Sequence, residues 1–357
     1  MASDLRRAPP RQSAGFVLAV TLWLLAGIAI VVGLITLWSL DEVRDAARDR
    51  ERVEAQLELM GTRDTLLYLA STRDITIAGL PTEALSEEER ATRLLKEFGA
   101  FDRSPRGGEL RLDGQPYLGL GSSAFLMQDE SGLYSLVWPA ADNLDRFLAS
   151  RGMDSKKIPG LRDPLLDYID QDQLTRLHGA EAGDYEREDL PAPPNRRLLL
   201  PKEVGRVMGW RDLPREQRNQ IVELSTTYYA GAVNLNTMPP ALLPGWLQGC
   251  PETCDTFRAQ RELRPFRSSL EVETLLGVRL PGDGAVEYRY APSDVLRLTL
   301  WGRTGAALRI HVQLTPLADQ TGPWSILAAY PVPRPALNAT PKPTSSAFFA
   351  DAPTDRP

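Results

Sequence analysis

The sequence predicts an α+β fold in which a long N-terminal helix leads into an antiparallel-sheet headgroup, itself interrupted by a large, mainly α-helical insertion. Three observations predict it: an uncharged run over residues 16–38, strand-like stretches on both sides of residues 141–285, and helical periodicity within that interval. The chain has 357 residues, 43% of them hydrophobic and 25% charged. After a membrane-length segment about 290 residues remain, enough for one large or two modest domains.

The first element is the apolar run. About 23 residues at roughly 1.5 Å each extend near 35 Å, longer than the ~30 Å hydrocarbon core of a bilayer. A cleavable secretory signal would show a shorter apolar core and a small-x-small site behind it, and Leu37-Trp38-Ser39-Leu40-Asp41-Glu42 offers none. Charge does not orient the span, because Arg6, Arg7 and Arg11 precede it and Arg44, Arg48, Arg50 and Arg52 follow it. Beyond it, Val43, Ala46, Val53, Leu57 and Met60 recur at helical spacing amid charged residues, so one helix is predicted to about residue 70. Gly61 costs that helix about 1 kcal/mol relative to Ala and is a place for a bend. A membrane anchor followed by a separate coiled stalk is the alternative reading.

The next elements read as strands: Leu110-Arg111-Leu112 before Asp113-Gly114, then residues 117–120, then residues 124–127 before Asp129-Glu130-Ser131-Gly132, then residues 134–137. Asp-Gly and the four-residue polar stretch are hairpin signals. From Asp142 the period turns helical, with Leu144, Phe147 and Leu148 on one face, and a helix–loop series runs to about residue 280. Strand character returns over residues 294–300, 307–314 and 324–330. The resulting division is a leader at 1–15, a transmembrane and spine helix at 16–70, headgroup at 71–140, inserted helical domain at 141–285, and further headgroup strands at 286–333. The Pro-rich tail at 334–357 is expected to be disordered, with Phe348-Phe349 as a weak docking point.

Gly15-Phe16, followed by an uncharged helix that continues as an amphipathic one, resembles the amino terminus of type IV pilins and pseudopilins. The resemblance implies that a prepilin peptidase cuts after Gly15 from the cytoplasmic side and that Phe16 is then N-methylated. It also places everything after Ser39 in the periplasm. Most members carry Glu at the fifth mature position, where its carboxylate can pair with the amino terminus of a neighbouring subunit; here that position is Val20. An unpaired charge in lipid costs several kcal/mol, so the Glu is dispensable where no partner amine exists, as at the outermost tip of a filament.

That departure resembles minor pseudopilin K of the type II secretion system, and two further motifs agree. Asp167-Tyr168-Ile169-Asp170-Gln171-Asp172, followed by Gly179-Ala180-Glu181 and Asp184-Tyr185, is similar to one stretch of that family. Asn195 and Lys202-Glu203-Val204 sit where the family has an Asn-rich turn and a helix start, in a more basic setting here. Val233-Asn234-Leu235-Asn236-Thr237, then Pro240 to Leu243, is similar to its Asn-x-Asn-Thr element. The resemblance implies a non-enzymatic, single-pass bacterial inner-membrane protein with a periplasmic C-terminal domain. It would sit at the tip of the secretion pseudopilus, initiate assembly and support protein export across the outer membrane. Its partners would be the I-type and J-type minor pseudopilins in a heterotrimeric tip complex, other pseudopilins, the inner-membrane secretion platform and prepilin peptidase.

Calcium is associated with this family, and Asp167, Asp170, Asp172, Glu181, Asp184 and Glu186 lie close in sequence. Hard cations take about six to eight oxygen ligands from such loops. The spacing is not that of an EF-hand, and solvated turns or helix caps are the plainer reading of an acidic run. Cys250 and Cys254 are the only cysteines. In an oxidising periplasm a local disulfide is expected, since CxxxC without a nearby His is a poor zinc site. His178 and His311 are isolated in sequence and are expected to be structural.

Enzyme classes find little support: the chain has no nucleophile elbow, Walker loop or His-x-x-x-His pair. The net charge of −6 argues against nucleic acid as an obligatory ligand, and neither nucleic acid nor a small-molecule substrate is expected. The alternative is a membrane-anchored protein of DNA binding or uptake. Residues 234–276 resemble a helix-hairpin-helix module, with Arg258, Arg261, Arg264 and Arg267 as charge, although the hairpin lacks its tight Gly-x-Gly.

Overall fold

The structure is a computed structural model that describes residues 14–89, 91, 103–303, 305–316, 322–337 and 339–349. Most of the leader, with Arg6, Arg7 and Arg11, and the last eight residues lie outside these. The chain divides into two compact units, 1–56 and 57–357, and the boundary falls within the first helix.

Helix α1 (Ala14–Thr72) passes from the uncharged run into the charged one. Its first stretch is long and apolar enough to cross a membrane, as a single-pass anchor requires. The hydroxyls there are turned inward: Thr21 donates to the Leu18 carbonyl at 2.9 Å and Thr36 to the Val32 carbonyl at 2.8 Å, which hides both donors from an apolar surrounding. The charged turns carry exposed pairs at helical spacing, Arg44–Asp41, Arg48–Asp45, Arg52–Asp49 and Arg50–Glu54.

In the second unit the chain order is β1 (Asp113–Leu118), β2 (Ala124–Asp129), β3 (Tyr134–Ser135), α2 (Ala141–Ser150), α3 (Pro159–Ile169), α4 (Ala182–Arg187) and α5 (Arg215–Glu223). There follow β4 (Ser225–Thr226), β5 (Val233–Asn234), α6 (Glu252–Leu263), α7 (Ser269–Leu276), β6 (Tyr288–Arg289), β7 (Val295–Trp301), β8 (Ala307–Leu314) and β9 (Trp324–Val332). Five strands form one antiparallel sheet in the order β1-β2-β7-β8-β9. Strands β2 and β7 are neighbours, with Phe125 opposite Leu300, so the whole of residues 130–294 is inserted between two adjacent strands.

Alternation explains why β7 is buried on both faces. Leu296, Leu298 and Leu300 join Leu66 and Leu69 of α1 in one core, while Arg297 and Thr299 point to the other side and are buried too. The insertion has its own core around Phe147, Leu165, Tyr185, Trp210 and Phe257. Gly61 leaves α1 unbroken and has a packing reason: a Cβ there would come within 2.9 Å of Leu120 Cδ1.

Three expectations are corrected. Asp113-Gly114 is not a hairpin turn. Leu110 pairs instead with Leu80, and Gly114, at φ +81°, lies in a bulge between Asp113 and Pro116, where the missing proline N–H costs no ladder bond. Asp129 to Gly132 is not a hairpin turn but a buried junction, with Asp129 and Glu130 both at 0% exposure. The strand after it, β3, pairs in parallel with β4 of the insertion. The tail, expected to be disordered from residue 334, is ordered over 339–349 among the described residues. Lys342 bonds Pro116 and Leu118 through its backbone at 3.1 and 2.8 Å, Phe349 stacks on Phe125 at 5.6 Å, and Phe348 meets Tyr68 at 5.8 Å.

Candidate functional site

The acidic motif folds around Asp167. This residue lies on α3 with its carboxylate fully buried, where it accepts the backbone N–H of Arg176 at 3.1 Å and of Ala180 at 3.0 Å and pairs with the Arg176 guanidinium. The same guanidinium reaches Asp170 at 2.6 Å. Gly179 is required by this closure, since a Cβ there would lie 1.8 Å from Asp167 Oδ2. The loop from the end of α3 is thereby bent back so that Glu181 stands at the start of α4.

The bend brings together three of the six acidic candidates: Asp170, Asp172 and Glu181 each offer an oxygen within 4.8 Å of the others. The other three do different work. Asp167 organises the loop, Asp184 accepts the Glu181 backbone N–H at 2.9 Å and pairs with Arg187, and Glu186 is exposed. Asn195, which the acidic pattern passes over, belongs to the group. Its Nδ2 donates to the Asp172 carbonyl at 2.8 Å from a left-handed backbone position at φ 47°.

Buried oxygens at this place lack donors. Both Glu181 carboxylate oxygens, Asp170 Oδ1 and Asn195 Oδ1 have no hydrogen-bond partner. Burial first, then the charges of Asp167, Asp170 and Asp172, push the Glu181 carboxyl up to about 7 against the opposing Arg176. An all-oxygen set of anionic and amide ligands fits a hard divalent cation.

A second buried polar group was not visible in the sequence. Glu130 accepts from Arg297 Nε at 3.2 Å and bonds His311 Nδ1 at 2.6 Å, while His311 Nε2 meets the Tyr330 hydroxyl at 2.8 Å. Arg297 also donates to the carbonyls of Glu223 and Ser225 at 2.8 and 2.6 Å, and Arg309 clasps the Glu223 carboxylate at 2.7 Å through both nitrogens. Burial alone would raise the Glu130 carboxyl, but Arg297 and His311 outweigh it and hold it down to about 2. Burial lowers the His311 pKa despite the adjacent carboxylate. The cluster ties the polar face of the sheet to the insertion, and its one sequence signal is the ionisable side chains placed mid-strand in β7 and β8.

The Asn-x-Asn-Thr element is a junction of the same kind. Asn234 and Thr237 donate to Asp129 at 3.0 and 2.8 Å, Ser293 does so at 2.6 Å, and Asn236 bonds the Phe266 N–H and the carbonyls of Phe266 and Tyr290. Of the four arginines behind the DNA reading, three have partners within the fold. Arg261 is buried on the carbonyls of Leu235 and Met238, Arg258 pairs with Asp255, and Arg264 with Glu271. Cys250 and Cys254 form a disulfide at the start of α6 with Cα atoms 5.1 Å apart. Gly15, Phe16 and Val20 lie in the first turns of α1, and Phe16 and Val20 are exposed.

Residues 136–218 match the family described as type II secretion system (T2SS), protein K. The fold is similar to that of a chain in the crystal structure of the GspK-GspI-GspJ complex from the enterotoxigenic Escherichia coli type 2 secretion system. The TM-score is 0.50 at 14% sequence identity, over 80% of this chain and 99% of that one. No curated protein matches the chain.

Proposed function

We propose that this chain, whose match over residues 136–218 and whose fold support the protein K family of minor pseudopilins, caps the periplasmic tip of a type II secretion pseudopilus. One observation carries the reading: an apolar-to-charged helix of 59 residues leads into an antiparallel sheet whose neighbouring strands β2 and β7 are separated in sequence by a large, mainly helical insertion. In this reading α1 anchors the protein in the inner membrane, prepilin peptidase removes the leader after Gly15, and Phe16 becomes the methylated amino terminus. Val20 fits a subunit with no neighbour above it, because a buried Glu there would have no amine to neutralise it. The partners are minor pseudopilins of the I and J types. The role is architectural, initiating assembly and supporting export without catalysis.

Calcium is part of the proposal. Asp170, Asp172, Glu181 and the Asn195 amide oxygen would hold it, and its charge would neutralise the acidic group and fix the loop between α3 and α4.

The test is co-expression of the full chain with I-type and J-type pseudopilins and prepilin peptidase, followed by intact-complex mass measurement after membrane extraction. The reading expects one copy of each subunit and a chain beginning at N-methylated Phe16. A chain that stays unassociated, or keeps Met1, contradicts it.

A further inference from the structure

A groove of about 960 Å³ opens between α5 and the segment that continues β9. Six basic side chains and two acidic ones line it, on a chain whose net charge is −6. Two of the cations are already neutralised, Arg297 by Glu130 and Arg309 by Glu223. The other four, Arg151, Lys202, Arg215 and Arg334, have no carboxylate partner among the described residues, and Glu216 is the acid that remains to balance them.

How these cations are held matters. Arg151 is fixed by the Ala241 carbonyl and Arg334 by the carbonyls of Gly302 and Gly305. Lys202 stands 5.6 Å over the Tyr330 ring. Carbonyls and a ring face orient a cation without cancelling its charge, so the groove keeps a positive potential inside partly apolar walls that include Val222, Val332 and Pro335.

A free inorganic anion would use the charge and waste the apolar wall, and a nucleic-acid duplex needs a broad surface stripe rather than a recess. From this complementarity we propose that the groove binds an extended segment of another polypeptide in which acidic and apolar residues alternate. The acids lie against Lys202, Arg215, Arg334 and Arg151, and the apolar residues against the valine and proline wall. This surface is independent of the tip reading, and either can fail alone.

The experiment uses the detergent-extracted full chain and fluorescence anisotropy with a fluorescein-labelled peptide of alternating Glu and Val, a Lys-Val peptide of equal length serving as control. We expect the Glu-Val peptide alone to bind, and its affinity to fall as salt rises. The double variant Lys202→Glu/Arg215→Glu, changed at two exposed positions, should weaken binding at least about tenfold with an unchanged melting temperature. Lys157→Glu, outside the groove, should bind as the parent does. Equal affinity in the double variant, no binding of the Glu-Val peptide, or tighter binding of a single-stranded oligothymidine than of the peptide would overturn the proposal.

Discussion

Glu181 is 5% exposed, faces Asp170 and Asp172, and has no donor on either oxygen. A carboxyl whose pKa is raised in the folded protein favours folding while it is protonated. That contribution is complete below about 4.5 and is lost as pH rises through about 7. The metal-free protein therefore loses stability across that window, and Glu181→Gln should remove the loss. Near pH 8 in chelator, the variant is expected to melt at least ~2 °C above the parent, whereas calcium should raise the melting temperature of the parent and leave the variant nearly unmoved. Thermal denaturation from pH 5 to 8, with and without calcium, checks both; equal responses to calcium would remove Glu181 from the site. The acidic series marks this place in the sequence, but which acids converge does not follow from spacing. Asp167 is spent on the backbone of Arg176 and Ala180, and Asp184 on that of Glu181, so their proximity in the chain makes them supports of the loop. Asn195 escapes a search for acids because it is an amide, and only its bond to the Asp172 carbonyl ties it to this place.

At the scale of elements, the tail acts as a strap across the β1 edge of the sheet. It bonds Pro116 and Leu118 through Lys342 and sets Phe349 into the core shared by α1 and the sheet. Phe349→Ala should destabilise the headgroup by about 3 kcal/mol in urea denaturation, and a change below about 0.5 kcal/mol would show that the strap carries no load. Composition showed only the anchor of this element: Phe348-Phe349 stands out as a docking point in a Pro, Ala, Ser and Thr background, whereas the backbone bonds of Lys342 leave no mark in the sequence. Strands β7, β8 and β9 were legible from alternation, and α1 from its length and period. The Asp113-Gly114 hairpin was not, since the Asp-Gly signal presumes that its two flanks pair with each other, and here Leu110 pairs with Leu80. Asp129-Glu130 read as part of a polar hairpin turn because neither partner set lies nearby: Asn234, Ser293, Arg297 and His311 are all more than a hundred positions away in sequence.

At the scale of the whole molecule, the sheet and the insertion are joined by buried ionic and polar groups in place of a continuous apolar core. Breaking such a pair costs more than a surface contact because the abandoned charge stays buried, and the junction holds a bulky insertion on a small sheet. The proposed tip position rests on the size of that insertion, residues 130–294 between two adjacent strands. The most direct test places gold-labelled antibody against the headgroup on sheared pseudopili and records its position by electron microscopy. The account predicts label at one end of each fibre, and label at intervals along the fibre would contradict it.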